Sequence, residues 1–568
     1  MKPLHKLSGQ FRHVLARFLW TLAELRRKRR KAPDFVSLLI EGDYPELPQP
    51  RPPFWQRRFA PLRPSLKELH ERFQRIGDDA RIKGVVLHVR RLSMPRARLQ
   101  TLRDLINQLR EKGKRVVVWA THYDPASYYV ACAADEVLLQ QGGIIAPLGS
   151  SGDFLFLADA LKRLGIEADF LQISPYKSAM DTFARAEMSG EMREMANWLM
   201  DDVHGQLLAA IGDGRGLDKR KARLLIDQSP YTDTKAHEKG VVDGIASEED
   251  LPGFLAGDDN PVRIATWGES AKCLPMKPPP PPGPHVAMIR IEGNIVDGRS
   301  RQPPVRPPVP LPFVSSSRAG DLSVVQQARR ALKDERAAAV VVYIDSGGGS
   351  ATASEAMAAA LAKLAEKKPL VVAMGSVAAS GGYYVATPAK WIVAQPGAVT
   401  GSIGVLWGKI VGGGLLDRLG IKSEIISRGK HSAMYDAGKP FTKAERSIIQ
   451  EQIERIYAVF VERVTESRGL DPKAMDEIGL GRVWTGSQAK SHGLVDELGG
   501  LERAIAKARE LAGLDERAPL VEIKAGKHRL TPAQTPAIAL EFAVEGLRIF
   551  SDSKTLCLCP MVESGIDS

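Results

Sequence analysis

Phe11, Val14, Leu15, Phe18, Leu19, Leu22 and Leu25 recur at helical spacing, with Arg12, Arg17 and Glu24 off that stripe, and predict an amphipathic helix near the N-terminus. Beyond it the pattern changes. Phe35 to Ile40 and Val286 to Ile291 read as strands, each followed by a proline-rich loop, Pro45 to Pro53 and Pro303 to Pro312. In the second half Ala339 to Ile344 reads as a buried strand and Ala351 to Glu366 as an alanine-rich helix. Leu370 to Met374 follows as a strand, and Gly381 to Thr387 as the start of another helix. Strand and helix in alternation argue for α/β layers on a largely parallel sheet.

The pattern occurs twice. Ile40-Glu41-Gly42 returns as Ile291-Glu292-Gly293, and Tyr128-Tyr129-Val130-Ala131 returns as Tyr383-Tyr384-Val385-Ala386. Leu164-Gly165-Ile166 matches Leu419-Gly420-Ile421, and Gly240-Val241-Val242-Asp243 matches Gly493-Leu494-Val495-Asp496, all at offsets of 251 to 255. Four anchors in one order at near-constant offset mark a duplication. The proline run from Pro278 to Pro282, which lacks the N–H groups for either ladder, separates the copies as an extended spacer. The expected organisation is a helix over 1–33, repeats over 34–272 and 286–515, a linker over 273–285 and a tail over 516–568.

Composition alters this picture little. With 44% hydrophobic and 26% charged residues the chain has a globular composition, and no apolar run approaches the ~20 residues of a membrane span. The net charge of +12 is local: residues 1–31 hold ten Lys and Arg against Glu24 alone, which accounts for nine of the twelve. A nucleic-acid partner is therefore not expected, and the charge points to peripheral contact with an anionic membrane surface through residues 11–31, or to a helix docked on the body. No cleavable signal peptide or spanning helix is recognised, so the expected location is cytoplasmic or peripheral at the inner face of a membrane. Cys132 and Cys273 are isolated, and Cys557-x-Cys559 lacks further metal ligands.

Chemistry concentrates in the second repeat. Ser346-Gly347-Gly348-Gly349 ends one strand and Ser380-Gly381-Gly382 ends the next. Parallel strands bring their C-terminal ends to one crevice. Backbone N–H groups of Gly349 and Gly381, with Gly348 beside them, could there serve as oxyanion donors, since glycine lets the backbone approach closely. Glycine turns alone establish no more than tight turns.

The run Gly375-Ser376-Val377-Ala378-Ala379-Ser380-Gly381-Gly382-Tyr383-Tyr384, followed by Thr400-Gly401-Ser402-Ile403-Gly404, resembles the signal peptide peptidase A family of Ser-Lys peptidases, family S49, in its long two-repeat form. The resemblance spans roughly residues 35 to 515. It implies an α/β fold made of a tandem duplication of a ClpP/crotonase-like unit. It also implies a homo-oligomer, tetrameric by family likeness, that cleaves peptides such as spent signal peptides without metal or cofactor. Ser380 is carried over as nucleophile, Lys177 of Tyr176-Lys177-Ser178-Ala179 as general base, and Ser402 as the serine set against the lysine amine. Chemistry agrees with that division: a lysine of reference pKa about 10.4 becomes a base only when burial lowers it. Gly347 stands where the family usually has proline, and no transmembrane segment like the family's anchor is recognised in this sequence.

In the first repeat Pro125 aligns with Ser380, Ser127 lies two positions off, and Leu92-Ser93-Met94-Pro95 replaces the glycine turn, so this copy is expected to be silent apart from Lys177. The Lys177 motif aligns in turn with His431-Ser432-Ala433-Met434. Short family members draw the lysine from the same repeat, which leaves Lys430 and His431 open as competing bases. Two rival functions are a non-catalytic scaffold at a membrane and a crotonase-type acyl-CoA enzyme; the latter usually works through carboxylates, of which Asp345 alone opens a turn here.

Overall fold

The computed structural model describes residues 2–49, 64–256, 262–280, 283–301, 317–524 and 556–558, with backbone alone for 2–12 and 556–558. The loop Pro303 to Pro312 and the end of Pro45 to Pro53, from Pro50 onward, lie outside the described residues, as do Pro281, Pro282 and Cys559. The rest divides into two compact units, Met1–Ser151 with Val203–Gly283, and Gly152–Asp202 with Pro284–Ile566. This division departs from repeat boundaries at 34–272 and 286–515. Residues 152–202, which include Lys177, are numbered with the first repeat but fold with the second.

In the first unit the strands Glu136–Ile145, Arg115–Tyr123, Gly84–Leu92 and Phe35–Gly42 lie side by side in that order. All are parallel, with Phe35 opposite Gly84 and Gly84 opposite Arg115. Val85, Leu87, Val116 and Val118 bury one face against helices such as Leu66–Gly77. That helix begins in a capping box between Ser65 and Glu68 and buries Leu66, Leu69, Phe73 and Ile76 at helical spacing. A cap of this kind contributes about 1 kcal/mol. The N-terminal helix runs over Lys2–Lys28.

The second unit repeats the plan and adds to it. Val399–Gly401, Leu370–Ala379, Ala337–Ser346 and His285–Glu292 form its central sheet, and Leu520–Glu522 pairs in parallel beside the last of these. The second repeat therefore continues past residue 515. Val340, Val341 and Val342 are all fully buried, as a central parallel strand covered on both faces requires. A second sheet runs Arg318–Gly320, Asn294–Val296, Gly348–Ser350, Leu556–Leu558, Leu406–Val411, Glu167–Gln172. Two of its strands come from unexpected places: Glu167–Gln172 pairs antiparallel with Leu406–Val411, and the C-terminal Leu556–Leu558 pairs antiparallel with Gly348–Ser350.

The duplication extends to individual hydrogen bonds. Tyr128 Oη donates to the Val241 carbonyl at 2.7 Å, and Tyr383 Oη donates to the Leu494 carbonyl at 2.9 Å. A buried phenol needs such an acceptor. Asp243 accepts from the Val137 N–H and from Arg215, just as Asp496 accepts from the Ile392 N–H and from Arg468.

Candidate active site

Ser380 sits where strand Leu370–Ala379 passes into helix Gly381–Ala386. Its N–H donates to the Gly401 carbonyl at 2.8 Å, and its own carbonyl accepts from Tyr384 N–H at 2.8 Å. Between these restraints its backbone is held at φ 55° and ψ −117°. Among the described residues only three non-glycine residues have positive φ: Ser380, Ser402 and Leu480. Such conformations cost on the order of 1–3 kcal/mol each and persist only where the surroundings over-determine them.

The three belong to one cluster. Ser402, at φ 51°, donates its N–H to the Arg482 carbonyl at 2.6 Å, and Gly481 N–H donates to the Ile403 carbonyl at 2.7 Å. The Leu480 carbonyl accepts the Ser174 hydroxyl, which fixes the turn leading to Lys177. Lys177 N–H closes that turn on the Ser174 carbonyl at 3.0 Å. Gly481 has to be glycine: its φ is +89°, and a Cβ there would stand 2.7 Å from Lys177 Cα.

These restraints bring the amine to the serine. Lys177 Nζ lies 2.6 Å from Ser380 Oγ, 2.8 Å from the Ser402 carbonyl oxygen and 2.9 Å from Ser402 Oγ. All three side chains are completely buried, at 0% exposure. The glycine turns converge as well. A Cβ on Gly381 would stand 3.2 Å from Gly348 Cα and 3.3 Å from Gly349 N. Gly349, at φ +149°, has no room for a side chain, since its Cβ would meet the Ile295 carbonyl oxygen at 2.0 Å. The Gly348 N–H points to Ser346 Oγ at 3.2 Å, so of the three glycines Gly348 mainly shapes the turn.

The competing bases are elsewhere. Lys430 and His431 are solvent-exposed and make no hydrogen bond to Ser380. In the first repeat Pro125 opens helix Pro125–Ala131, and the Ser127 hydroxyl is engaged by Asp124 at 2.6 Å in a capping box. Both positions lie at the start of a helix, but Pro125 has no hydroxyl where Ser380 has one. Asp345 accepts from Val377 N–H at 3.1 Å, which braces the strand that carries Ser380.

Several residues that hold the site do not stand out in the sequence. Tyr176 stacks on Trp198 and Trp198 on Trp484, at centroid distances of 6.2 and 4.8 Å, while the Arg482 guanidinium lies 3.9 Å over the Tyr176 ring. Trp198 Nε1 donates to the Val483 carbonyl at 2.9 Å, and Thr485 Oγ1 donates to Asp202 at 2.6 Å. This aromatic ladder fastens residues 152–202 beside strand Val483–Thr485. The cluster of glycines around Leu480 and the tryptophan after it were the available signals.

The sequence model of peptidase family S49 matches residues 108–256 and 362–515. The chain belongs to peptidase family S49. It is 31% identical over 471 residues to the chloroplastic serine protease SPPA of Arabidopsis thaliana, covering 81% of this chain and 68% of the relative. Protease 4 of Haemophilus influenzae is 29% identical over 459 residues, 77% of this chain and 71% of its own. A putative protease of Methanocaldococcus jannaschii is 39% identical over 152 residues, covering 27% of this chain and 49% of the relative. The two long alignments agree with the two-repeat form of the S49 peptidases.

Proposed function

We propose that this S49 peptidase is a serine endopeptidase in which Ser380 and Lys177 form the catalytic dyad, acting on short or unfolded apolar peptides, spent signal peptides among them. The observation that carries the reading is the buried 2.6 Å contact between Lys177 Nζ and Ser380 Oγ on a strained turn. Burial favours the neutral amine, which is the form a general base must take. A neutral amine has two N–H donors and one lone pair. The Ser402 carbonyl and hydroxyl oxygens can accept the two donors, which leaves the lone pair facing the Ser380 hydroxyl.

In the reaction Lys177 takes the proton of Ser380 as Oγ attacks the scissile carbonyl. The resulting oxyanion is met by the N–H groups of Gly349 and Gly381. Collapse of the intermediate breaks the C–N bond, Lys177 returns the proton to the departing amine, and the acyl group remains on Ser380. Water, deprotonated by the same lysine, then releases the acid.

The peptide enters, in this reading, as an antiparallel strand. Leu556–Leu558 already lies in that manner between Gly348–Ser350 and Leu406–Val411, with Cys557 opposite Gly349 and Leu556 opposite both Ser350 and Leu406. Main-chain pairing of this kind holds an extended peptide whatever its side chains, while pockets select among them. Homo-oligomeric assembly and a cytoplasmic or inner-face location belong to the same reading, through the family resemblance. Ser380→Ala should abolish hydrolysis of fluorogenic apolar peptides and labelling by a serine-directed phosphonate. Undiminished hydrolysis by that variant would refute the assignment.

A further inference from the structure

The N-terminal helix Lys2–Lys28 is fastened to its unit by the face opposite its apolar stripe. Trp20 Nε1 donates to the Met276 carbonyl at 2.9 Å, Glu24 accepts from the Met276 N–H at 3.2 Å, and Arg27 donates to the Ala271 carbonyl at 2.8 Å. Arg81 donates to the carbonyls of Lys28 and Arg30, at 3.1 and 2.9 Å, and so holds the helix end. Residues 20, 24 and 27 share one side of a helix of 3.6 residues per turn. Val14, Leu15, Phe18, Leu19, Leu22 and Leu25 share the other, and they are between 41% and 65% exposed. The alternative expectation, an apolar face docked on the body, is thereby overturned: the body holds the polar face.

Exposed basic residues surround this stripe. Arg17, Arg26, Lys28, Arg29, Arg30 and Lys31 are all solvent-facing, whereas Glu24, the one acidic residue of the segment, is buried on the docked side. A second protein surface would have to supply both an apolar groove and a dense ring of carboxylates. An anionic bilayer supplies both at once, with acyl chains for the leucines and phenylalanine and headgroup phosphates for the cations. Among the described residues no helix is long and apolar enough to cross a membrane, so contact through this helix would lie in the surface plane.

We propose that the exposed stripe Val14 to Leu25, with the basic residues Arg26 to Lys31, is a docking face for anionic lipid headgroups and the acyl region beneath them, and that it holds this chain parallel to a membrane surface. The polar anchorage of Trp20, Glu24 and Arg27 fixes the orientation in advance, so insertion needs no rearrangement of the unit. This inference is independent of the peptidase chemistry.

Flotation of the full-length chain with vesicles tests it. The wild type should float with vesicles containing one phosphatidylglycerol in three lipids and stay at the bottom with pure phosphatidylcholine. The combined variant Phe18→Asp/Leu22→Asp alters two exposed positions and should keep its melting temperature. Taking two apolar side chains out of contact with the acyl region should weaken partition at least about 100-fold. Salt at 0.5 M should weaken wild-type binding at least about tenfold, because the Debye length shrinks to a few ångströms. Equal flotation of variant and wild type, or equal flotation on both vesicle types, would overturn the proposal. So would failure to float at all, or a wild-type oligomer that the double variant reduces to monomer, since the stripe would then face a second copy of the chain.

Discussion

Replacing Lys177 by Met removes the amine while keeping an unbranched, apolar stem of similar length in the fully buried channel beside Gly404 and Gly481. Two effects on stability oppose each other. The Ser402 carbonyl loses a donor at 2.8 Å, which costs about 1–3 kcal/mol if nothing replaces it, while the penalty for holding an amine out of water disappears. The net change in stability should therefore stay within about 2 kcal/mol, and the variant should fold. Catalysis has no such compensation. General base catalysis contributes roughly 10²- to 10⁴-fold, or about 3–5 kcal/mol of barrier, and the same amine also protonates the leaving group. Initial rates on a fluorogenic peptide should fall at least about 1,000-fold in Lys177→Met, with KM little changed. Lys430→Ala and His431→Ala, both at exposed positions, should stay within about twofold of wild type. A folded Lys177→Met enzyme retaining a tenth of wild-type activity would refute the dyad, and loss of activity in either exposed variant would move the base to that residue.

Asp181, in the short helix just after Lys177, is pushed up to about 6, above its ordinary 3.8, because burial disfavours the carboxylate; the Arg185 ion pair and Ser189 only partly offset this. The folded state then holds a proton that the unfolded chain has released between those values, so this group makes stability decline as pH rises from about 4 to 6. Asp181→Asn should flatten that part of a melting-temperature profile and raise stability at pH 7 by roughly 1–3 kcal/mol; an unchanged profile would contradict it. Removing the chain from Ala525 onward takes away the strand that lies along Gly348–Ser350. KM for a test peptide should drop several-fold, and a synthetic peptide spanning Thr555 to Pro560 should restore competition in trans; an unchanged KM would mean that substrate binds elsewhere.

Much of this was legible locally. The strands at Phe35, Val286, Ala339 and Leu370 begin within two residues of their expected starts, because runs of buried β-branched and apolar residues bounded by glycine or charge declare themselves. That Ser380, Lys177 and Ser402 meet was legible through family motifs, and the departure at Pro125 through the internal alignment. Residues 152–202 were not assigned to their unit, since nothing in a local pattern says which sheet Glu167–Gln172 will join. Pairing with Leu406–Val411 depends on residues more than two hundred positions away. The same holds for Leu556–Leu558, whose partner strand is three glycine-rich residues with no periodicity of their own, and for Leu480, whose strained backbone has no signature in side-chain type. The charge and apolar pattern of residues 11–31 left two orientations of the helix open; hydrogen bonds from Trp20 and Arg27 to the backbone chose between them.

The course of residues 152–202 bears on how such a gene can change. A break at the proline linker would leave one product with Ser380 and the glycine turns but without Lys177, and another bearing Lys177 on a segment without its sheet partner Leu406–Val411. Neither product would hold the proposed dyad. On the proposed mechanism the first copy is tied to the second by the fifty-odd residues it lends to its neighbour's unit, while Pro125 leaves the rest of it without a serine hydroxyl at the position of Ser380.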